Sequence, residues 1–360
     1  MRIPATAALV TFSTAAMLAV ACGGGEPRDA TSPPSTPPTL QGAYGVYVTN
    51  EVSGDLSVID PATNTAVARL PLGKRPRGIR VAPAGPELFI ALSGSPISPP
   101  GTDESKLPPP DRASDGIGII DTKTLTLRTI LRGPQDPEQT SVSRDGARLY
   151  IANEDKGTAT VMEIGGGKTI AEFPVGGEPE GVSITPDGRF VYVTSELDGQ
   201  VTVIDTAANM VVKQIAVGPR PRDTAFTPDS KRGYVTSENG ASISVVDTAT
   251  HTVVETIKLT GEMVRPMGAV VSPDGQRLYI STGRGGTVIA IDTVTNKLLG
   301  SVAVGTRPWG LALSPDGTRL YTANGPSNDV SVVDTATLTL ITKIPVGQSP
   351  WGVAIVGRSR

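Results

Sequence analysis

The chain has 360 residues, a net charge of −3 and a hydrophobic content of 38%. That content is sufficient for a large buried core, and the slightly acidic balance argues against strong non-specific binding to nucleic acid. The chain has a single cysteine, Cys22, which excludes an intramolecular disulfide.

The first 21 residues have the form of a secretory signal, because Arg2 is followed by an uncharged, apolar-rich stretch. The stretch ends Ala-Val-Ala before Cys22, which resembles the lipobox of bacterial lipoproteins. We therefore predict a lipoprotein signal peptide over residues 1–21 and lipidation at Cys22, with an ordinary cleaved signal as the alternative. By the sorting rules of such lipoproteins, Gly23 after the cysteine favours the outer membrane, facing the periplasm or the cell surface.

Residues 22–43 are rich in Gly, Pro, Ser and Thr and contain almost no large apolar side chain. This composition is typical of a disordered tether. We expect the segment to hold a globular domain away from the membrane.

From residue 44 the chain repeats a unit of 42 residues, shown clearly by residues 308–352. Four strand-length runs of Val, Ile, Leu, Thr and Tyr alternate there with turn sequences such as Pro-Asp-Gly and Asp-Thr-Ala-Thr. The residue that opens the second run is, in order, Tyr47, Phe89, Tyr150, Tyr192, Tyr234, Tyr279 and Tyr321. Seven such repeats predict an all-β, seven-bladed β-propeller over residues 44–357, with one four-stranded antiparallel blade per repeat.

The two ends of the repeat region complete one blade. The chain enters at the second strand of blade one, and residues 352–356 match the missing first strand. We therefore expect the C-terminal strand to become the innermost strand of blade one. This closure removes two free strand edges, and we expect a monomer.

Blade two carries an insertion at residues 95–116, between its second and third strands. Loops at this position and the crossovers between blades lie on one face of a propeller, here called the top face. Insertions in repeat proteins usually map to one face, often the binding face.

The top face also carries the positions at which the repeat varies most in charge and size. The residue after each crossover proline is Arg77, Glu138, Glu180, Arg222, Met267, Trp309 and Trp351. Two interpretations stay open: a ring of Arg–Glu ion pairs with packed indoles, or a polar funnel with an aromatic edge that binds a small ligand or a partner protein.

A second ring supports the funnel interpretation. Four residues after the tyrosine position come Glu51, Glu154, Glu196 and Glu238. Their carboxylates would suit Ca²⁺ as oxygen ligands, but no Asp/Asn-rich calcium loop is present, so we predict neither a metal nor a cofactor. The sole histidine, His251, is expected in a solvated bottom turn, and no catalytic residue is nominated because hydrolase and phosphate-loop motifs are missing.

Tyr-Val-Thr-Asn at 47–50, together with Val-Ile-Asp-Thr and Ser-Pro-Asp-Gly elsewhere, resembles the YVTN-family β-propeller repeat. The resemblance covers roughly residues 44–356, and within that family it is most similar to bacterial extracytoplasmic propellers associated with pyrroloquinoline-quinone-dependent catabolism. It implies a propeller, but not an activity, because related propellers bind partners or nucleic acid, are lactonases, or are redox subunits.

The main prediction from the sequence is thus a lipid-anchored envelope propeller that binds or scaffolds through the top-face funnel without catalysis. The first alternative is an enzyme or redox accessory, either a lactonase-like hydrolase or the partner of a periplasmic quinoprotein dehydrogenase. The second is a nucleic-acid-binding propeller, which the acidic net charge disfavours.

Overall fold

The computed structural model of the protein describes residues 37–98, 103, 106–261 and 263–358. In these residues, seven antiparallel sheets of four strands each surround a common axis. Each blade is built from β-branched and aromatic residues that suit a pleated, buried surface. The predicted seven-bladed propeller is confirmed.

The strands are numbered in chain order. Blade one contains β1 (Tyr44–Asn50), β2 (Asp55–Asp60), β3 (Thr65–Pro71) and β28 (Pro350–Gly357). Blade two contains β4 (Pro76–Val81), β5 (Glu87–Leu92), β6 (Gly116–Asp121) and β7 (Thr126–Leu131). Blade three contains β8 (Pro137–Val142), β9 (Arg148–Asn153), β10 (Thr158–Glu163) and β11 (Thr169–Pro174). Blade four contains β12 (Pro179–Ile184), β13 (Phe190–Ser195), β14 (Gln200–Asp205) and β15 (Met210–Ala216).

The remaining blades follow the same plan. Blade five contains β16 (Pro221–Phe226), β17 (Arg232–Ser237), β18 (Ser242–Asp247) and β19 (Thr252–Lys258). Blade six contains β20 (Ala269–Val271), β21 (Arg277–Ser281), β22 (Thr287–Asp292) and β23 (Leu298–Ala303). Blade seven contains β24 (Pro308–Leu313), β25 (Arg319–Asn324), β26 (Asp329–Asp334) and β27 (Thr339–Pro345). Short 3₁₀ helices span Arg112–Ser114, Glu154–Lys156 and Gly283–Gly285.

The ring closes as the sequence predicts. Strand β28 pairs antiparallel with β1, with Val46 opposite Ile355 and Val48 opposite Val353. The sheet order β28-β1-β2-β3 makes the C-terminal strand the innermost one of blade one. The two ends of the propeller are therefore joined by backbone hydrogen bonds within a single sheet.

The hydrophobic core lies between neighbouring blades. One buried cluster, for example, joins Val46, Val48 and Ile59 of blade one to Tyr321 and Val332 of blade seven. The tyrosines of the repeat are almost fully buried, which explains why an aromatic residue recurs there. Each blade buries its apolar faces only against its neighbours, so the ring depends on closure.

The crossovers share an unusual backbone conformation. The residue before the crossover proline has a positive φ at Arg75, Asp136, Glu178, Arg220, Arg307 and Ser349, with values from 39° to 56°. This left-handed conformation is uncommon for residues other than glycine. It recurs in six of the seven crossovers, so it belongs to the fold. Blade six is the exception, since Arg265 has no positive φ and β20 begins only at Ala269.

The chain is already in contact with the propeller before its first strand begins. Residues 40–42 contact the first blade: Leu40 is buried, and the backbone amides of Gln41 and Gly42 donate hydrogen bonds to the Asp60 carboxylate. The guanidinium of Arg358 donates to the carbonyl of Leu40. The predicted signal peptide, Cys22 and most of the tether lie outside the described residues. Within the described part of the chain, no helix is long and apolar enough to cross a membrane.

Candidate functional site

A cavity of about 780 Å³ opens at the top-face end of the central channel. Nine of the eleven predicted binding residues line it: Glu51, Arg77, Glu138, Glu154, Glu180, Glu196, Arg222, Trp309 and Trp351. Glu238 lies behind this wall, in contact with Arg222. Met267 is buried and is not among the residues that line the cavity. Its place in a binding funnel stays a prediction.

Arg77 is the centre of one ion cluster at the cavity wall. Its guanidinium is 2.6 Å from an Asp136 oxygen and 3.3 Å from a Glu154 oxygen, and it also contacts Glu138. The Arg77 side chain is only 2% exposed, so this cation depends on the carboxylates of blade three for compensation. Arg77 thus connects blades two and three.

Arg222 is the centre of a second cluster, between blades four and five. It donates from Nε to Glu238 at 2.7 Å and contacts Glu180 and Glu196 through its Nη1. Arg220 adds a second cation, with its Nε 2.6 Å from a Glu196 oxygen. Blades three and four therefore each present carboxylates that an arginine of the adjacent blade compensates.

Glu180 and Glu196 form a hydrogen-bonded carboxyl pair with opposite pKa shifts. Burial acts to raise the pKa of Glu180, but Arg222, the hydrogen bond to Glu196, Arg220 and Arg77 together outweigh it, and the net pKa is lowered. Burial and the neighbouring charge of Glu180 raise the pKa of Glu196 to about 10. At neutral pH, the raised pKa of Glu196 favours its protonated form, and both carboxyl groups contact the Arg222 guanidinium.

Glu138 and Glu154 form a similar pair in blade three. Burial raises the pKa of Glu138 well above its usual range, and burial also raises the pKa of Glu154. The Glu154 side chain is the more exposed of the two, at 32% against 8%. The cavity floor therefore holds two adjacent carboxyl pairs, each compensated by one buried arginine.

The opposite wall of the cavity is aromatic. The rings of Trp309 and Trp351 stack with centroids 5.5 Å apart and an angle of 28° between their planes. The guanidinium carbons of Arg222 and Arg307 lie 5.4 and 4.9 Å from the centre of the Trp309 ring, a cation–π distance. The stacked indoles thus stand directly beside the arginine that holds the Glu180–Glu196 pair.

The insertion of blade two forms part of the cavity rim. Residues 95–98, 107–110 and 112 line the cavity. The Arg75 guanidinium donates to the carbonyls of Ser95 and Pro96 at 2.9 and 3.0 Å, and it pairs with Glu51 at 2.9 Å. The insertion is thus tied to the crossover of the preceding blade.

Sequence reasoning missed the residue that anchors the insertion. Asp115 is 2% exposed, and its carboxylate accepts the backbone amides of Gly94 at 2.6 Å and Asp136 at 3.1 Å. Arg112 pairs with Asp115 at 3.1 Å and also contacts Asp155. Asp115 stands at the repeat position of Asn328, whose side chain accepts the backbone amide of Ser349 at 2.8 Å. Its contact with Gly94 depends on the insertion, which the repeat does not predict.

The remaining predicted features have different outcomes. No group of three or more His, Cys, Asp or Glu side chains in the described ranges is placed to hold a metal ion, and a Ca²⁺ site stays untested. His251 is not solvated as expected: it is half-buried, with its Nδ1 2.7 Å from the Tyr192 hydroxyl and its ring 4.5 Å from that of Phe190. Its bottom turn folds back against blade four.

Comparison with known proteins supports the fold. A family model described as "Lactonase, 7-bladed beta-propeller" matches residues 208–354. No curated protein matches the chain. A candidate 6-phosphogluconolactonase from Bacteroides uniformis is 18% identical to the chain, with a TM-score of 0.70, and the match covers 87% of this chain and 99% of that one.

Two further solved structures share the fold. Hydrazine synthase from Kuenenia stuttgartiensis is 20% identical, with a TM-score of 0.66 over 79% of this chain and 96% of that one. A protein of unknown function from Desulfotomaculum acetoxidans is 16% identical, with a TM-score of 0.72 over 88% of this chain and 100% of that one. At this level of identity, the likeness concerns the fold alone.

Proposed function

We propose that the protein is a lactonase-like hydrolase whose active site is the top-face cavity. The observation that carries the proposal is that the carboxyl groups of Glu180 and Glu196 both contact the Arg222 guanidinium in the cavity wall. Their pKa values are shifted in opposite directions, with Glu196 raised and Glu180 lowered. Such a split marks one group as a base and its neighbour as an acid at the same pH. Both residues line the cavity, as does the arginine that compensates them.

The pair is suited to the hydrolysis of a cyclic ester. Ionised Glu180 accepts a proton from a water molecule as the water oxygen bonds to the ester carbonyl carbon. Protonated Glu196 donates its proton to the ring oxygen as the carbon–oxygen bond of the ring breaks, which yields a hydroxy acid. The proton then passes from Glu180 to Glu196 through their hydrogen bond, and the pair returns to its starting state.

The comparisons favour this enzyme alternative over the non-catalytic binding protein that the sequence suggests. The lactonase family model spans residues that include Arg222, Glu238, Trp309 and Trp351 of the site. The structural neighbours include candidate 6-phosphogluconolactonases from two Bacteroides species. A non-catalytic binding protein is the competing candidate, since the stacked indoles alone offer a surface for a sugar ring or a partner.

The test is lactone hydrolysis by the purified propeller. We expect acid release from glucono-δ-lactone or 6-phosphogluconolactone, measured in a pH-stat, to exceed the uncatalysed rate. Glu196→Gln and Glu180→Gln should each lower kcat by about 100-fold or more, because general acid–base catalysis contributes on that order. The matched control is Glu163→Gln, which changes an exposed carboxylate outside the cavity.

Two results would contradict the hydrolase. One is lactone turnover no faster than in buffer. The other is turnover that both glutamine variants retain in full. Ligand binding without turnover would instead support the non-catalytic alternative.

We further infer that the protein works in the cell envelope, held by a lipid on Cys22, as the lipobox-like sequence and the resemblance to YVTN-family propellers suggest. Cys22→Ser should then release the protein from the membrane fraction or leave its precursor unprocessed. A processed Cys22→Ser protein that still sediments with membranes would contradict the anchor. Association with a quinoprotein dehydrogenase is a weaker proposal, which co-purification from an envelope extract would test.

A further inference from the structure

One arginine of the cavity differs from all the others. Six arginines line it, and five of them form ion pairs with carboxylates: Arg75, Arg77, Arg112, Arg220 and Arg222. The sixth, Arg307, has no ion pair and no side-chain hydrogen bond among the described residues. Its guanidinium lies 4.9 Å from the centre of the Trp309 ring.

The surroundings of Arg307 leave its charge poorly compensated. Burial lowers the pKa of Arg307, and the positive charges of Arg222, Arg284 and Arg220 act in the same direction. The negative charge of Glu238 opposes them. A cation held among other cations in a partly desolvated wall gains more from a bound anion than an arginine already paired with a carboxylate.

The geometry places this cation within reach of the proposed reaction. Arg307 and Arg222 both approach the same ring, that of Trp309, and Arg222 directly contacts Glu180 and Glu196. The positive φ of Arg307, 52°, and the proline that follows it fix where its side chain leaves the backbone. Arg307 therefore lies beside the same indole as the arginine that holds the carboxyl pair.

We propose that Arg307 is an anion subsite, which binds a carboxylate or a phosphate group of the substrate while Trp309 and Trp351 contact its apolar face. This inference rests on the proposed function and specifies it, since the preferred substrate becomes an acidic lactone. Guanidinium groups suit such oxyanions because two N–H groups can donate in parallel. The other five arginines already donate to the protein's own carboxylates.

Intrinsic fluorescence tests the subsite without depending on turnover. Trp309 and Trp351 are the only tryptophans in the chain, so a change in indole emission reports on this wall alone. We would titrate the protein at constant ionic strength with inorganic phosphate, gluconate and 6-phosphogluconate, with neutral glucose as the uncharged control. We expect the anions to bind in preference to glucose.

Variants then assign the binding to Arg307. Arg307→Gln should weaken anion binding at least about 10-fold, as expected for the loss of a charge-assisted hydrogen bond. Arg307→Lys should retain part of the affinity. Arg284→Gln is the matched control: it removes a neighbouring, exposed positive charge that does not line the cavity, and it should change anion affinity much less.

The outcomes separate this proposal from the hydrolase itself. No anion binding, or binding that Arg307→Gln leaves unchanged, would overturn the subsite even if lactones are hydrolysed. An equal loss of anion affinity in Arg284→Gln would assign the effect to the overall positive potential of this region. That result would also overturn the subsite. If anion binding depends on Arg307 but the protein hydrolyses no lactone, the subsite is supported and the proposed reaction is contradicted.

Discussion

The two faces of the propeller use acidic residues in different ways. On the bottom face, Asp205 accepts hydrogen bonds from the backbone amides of the next two turn residues at 2.9 and 2.8 Å, and Asp247 does so at 3.0 and 2.9 Å. On the top face, several acids contact arginines of a neighbouring blade, as Glu138 does with Arg77. The bottom contacts are local and repeated, whereas the top contacts are long-range and differ from blade to blade.

This difference separates stability from function. An aspartate that accepts hydrogen bonds from the backbone of its own turn can recur in every repeat, because each repeat supplies the same backbone donors. A carboxylate that depends on a neighbouring blade is free to vary, and the variation gives the top cavity its uneven charge. The bottom face therefore maintains the blades, while the top face is the region in which a site can be built.

The largest expected effect comes from breaking the ring that both faces share. Deletion of residues 350–358 removes β28, the innermost strand of blade one, and exposes the edge of β1 and the core beneath it. We expect loss of cooperative folding, measured by thermal unfolding followed by circular dichroism. Deletion of residues 359–360 alone is the control. An unchanged melting curve after the longer deletion would contradict closure by β28.

The next effect tests the long-range contacts of the top face. Arg222→Ala leaves Glu180, Glu196 and Glu238 without their main cation in a buried site. Removing one partner of a buried ion pair typically costs about 3–5 kcal/mol in the free energy of unfolding. Arg128→Ala, which breaks an exposed pair with Glu87, should cost less than about 1 kcal/mol. Urea unfolding at pH 7 measures both, and similar costs would show that the top cluster is no different from a surface pair.

The sequence predicts the features that repeat and misses those that do not. The 42-residue spacing, the recurrent tyrosine and the missing first strand were enough to specify the blades and their closure, because these depend on local pattern. The ring positions also located nine of the eleven residues at the cavity. The unpaired state of Arg307 was not predictable, since it depends on which side chains meet across blades.

Two other features of the site have the same physical origin. The role of Asp115 depends on the insertion folding back onto Gly94, a contact with no equivalent in other blades. The protonation of Glu196 required its burial and its neighbours, which no single sequence displays.

The pH dependence of stability tests the raised pKa of Glu196 on the top face. The pKa of Glu196 rises from 4.5 to about 10 on folding, so the folded protein holds a proton that the unfolded chain releases above pH 4.5. This group's contribution to stability is therefore complete below pH 4.5 and is lost as the pH rises toward 10. Glu196→Gln carries no titrating proton there. Its stability relative to the parent should increase by on the order of 1 kcal/mol per pH unit across this window.

Thermal unfolding of the parent and of Glu196→Gln from pH 5 to pH 9 measures this difference. The control is Glu163→Gln, whose carboxylate is exposed. A constant difference in melting temperature across the series would show that Glu196 is ionised in the folded protein, and it would also remove the proton donor from the proposed reaction.

The smallest expected effect belongs to the bottom face. Asp247→Ala removes hydrogen bonds to the backbone amides of Ala249 and Thr250 in a solvent-exposed turn. The free energy of unfolding should fall by about 1 kcal/mol, because exposed hydrogen bonds contribute modestly. Asp247→Asn keeps an acceptor oxygen and should cost less. Lactone hydrolysis should be unaffected in both variants, because the turn lies at the opposite face from the cavity.

The stability of the Asp247 variants at acidic pH gives an independent check on this turn. Hydrogen bonds from the Thr250 backbone and side chain lower the pKa of Asp247 below its usual value of 3.8. Its contribution to stability is thus present above pH 3.8 and is lost as the pH falls through the lowered pKa. The difference between the parent and Asp247→Asn should therefore shrink below pH 3.8. If Asp247→Ala instead abolished hydrolysis while the protein stayed folded, the bottom face would contribute to function, and the division of labour between the faces would be wrong.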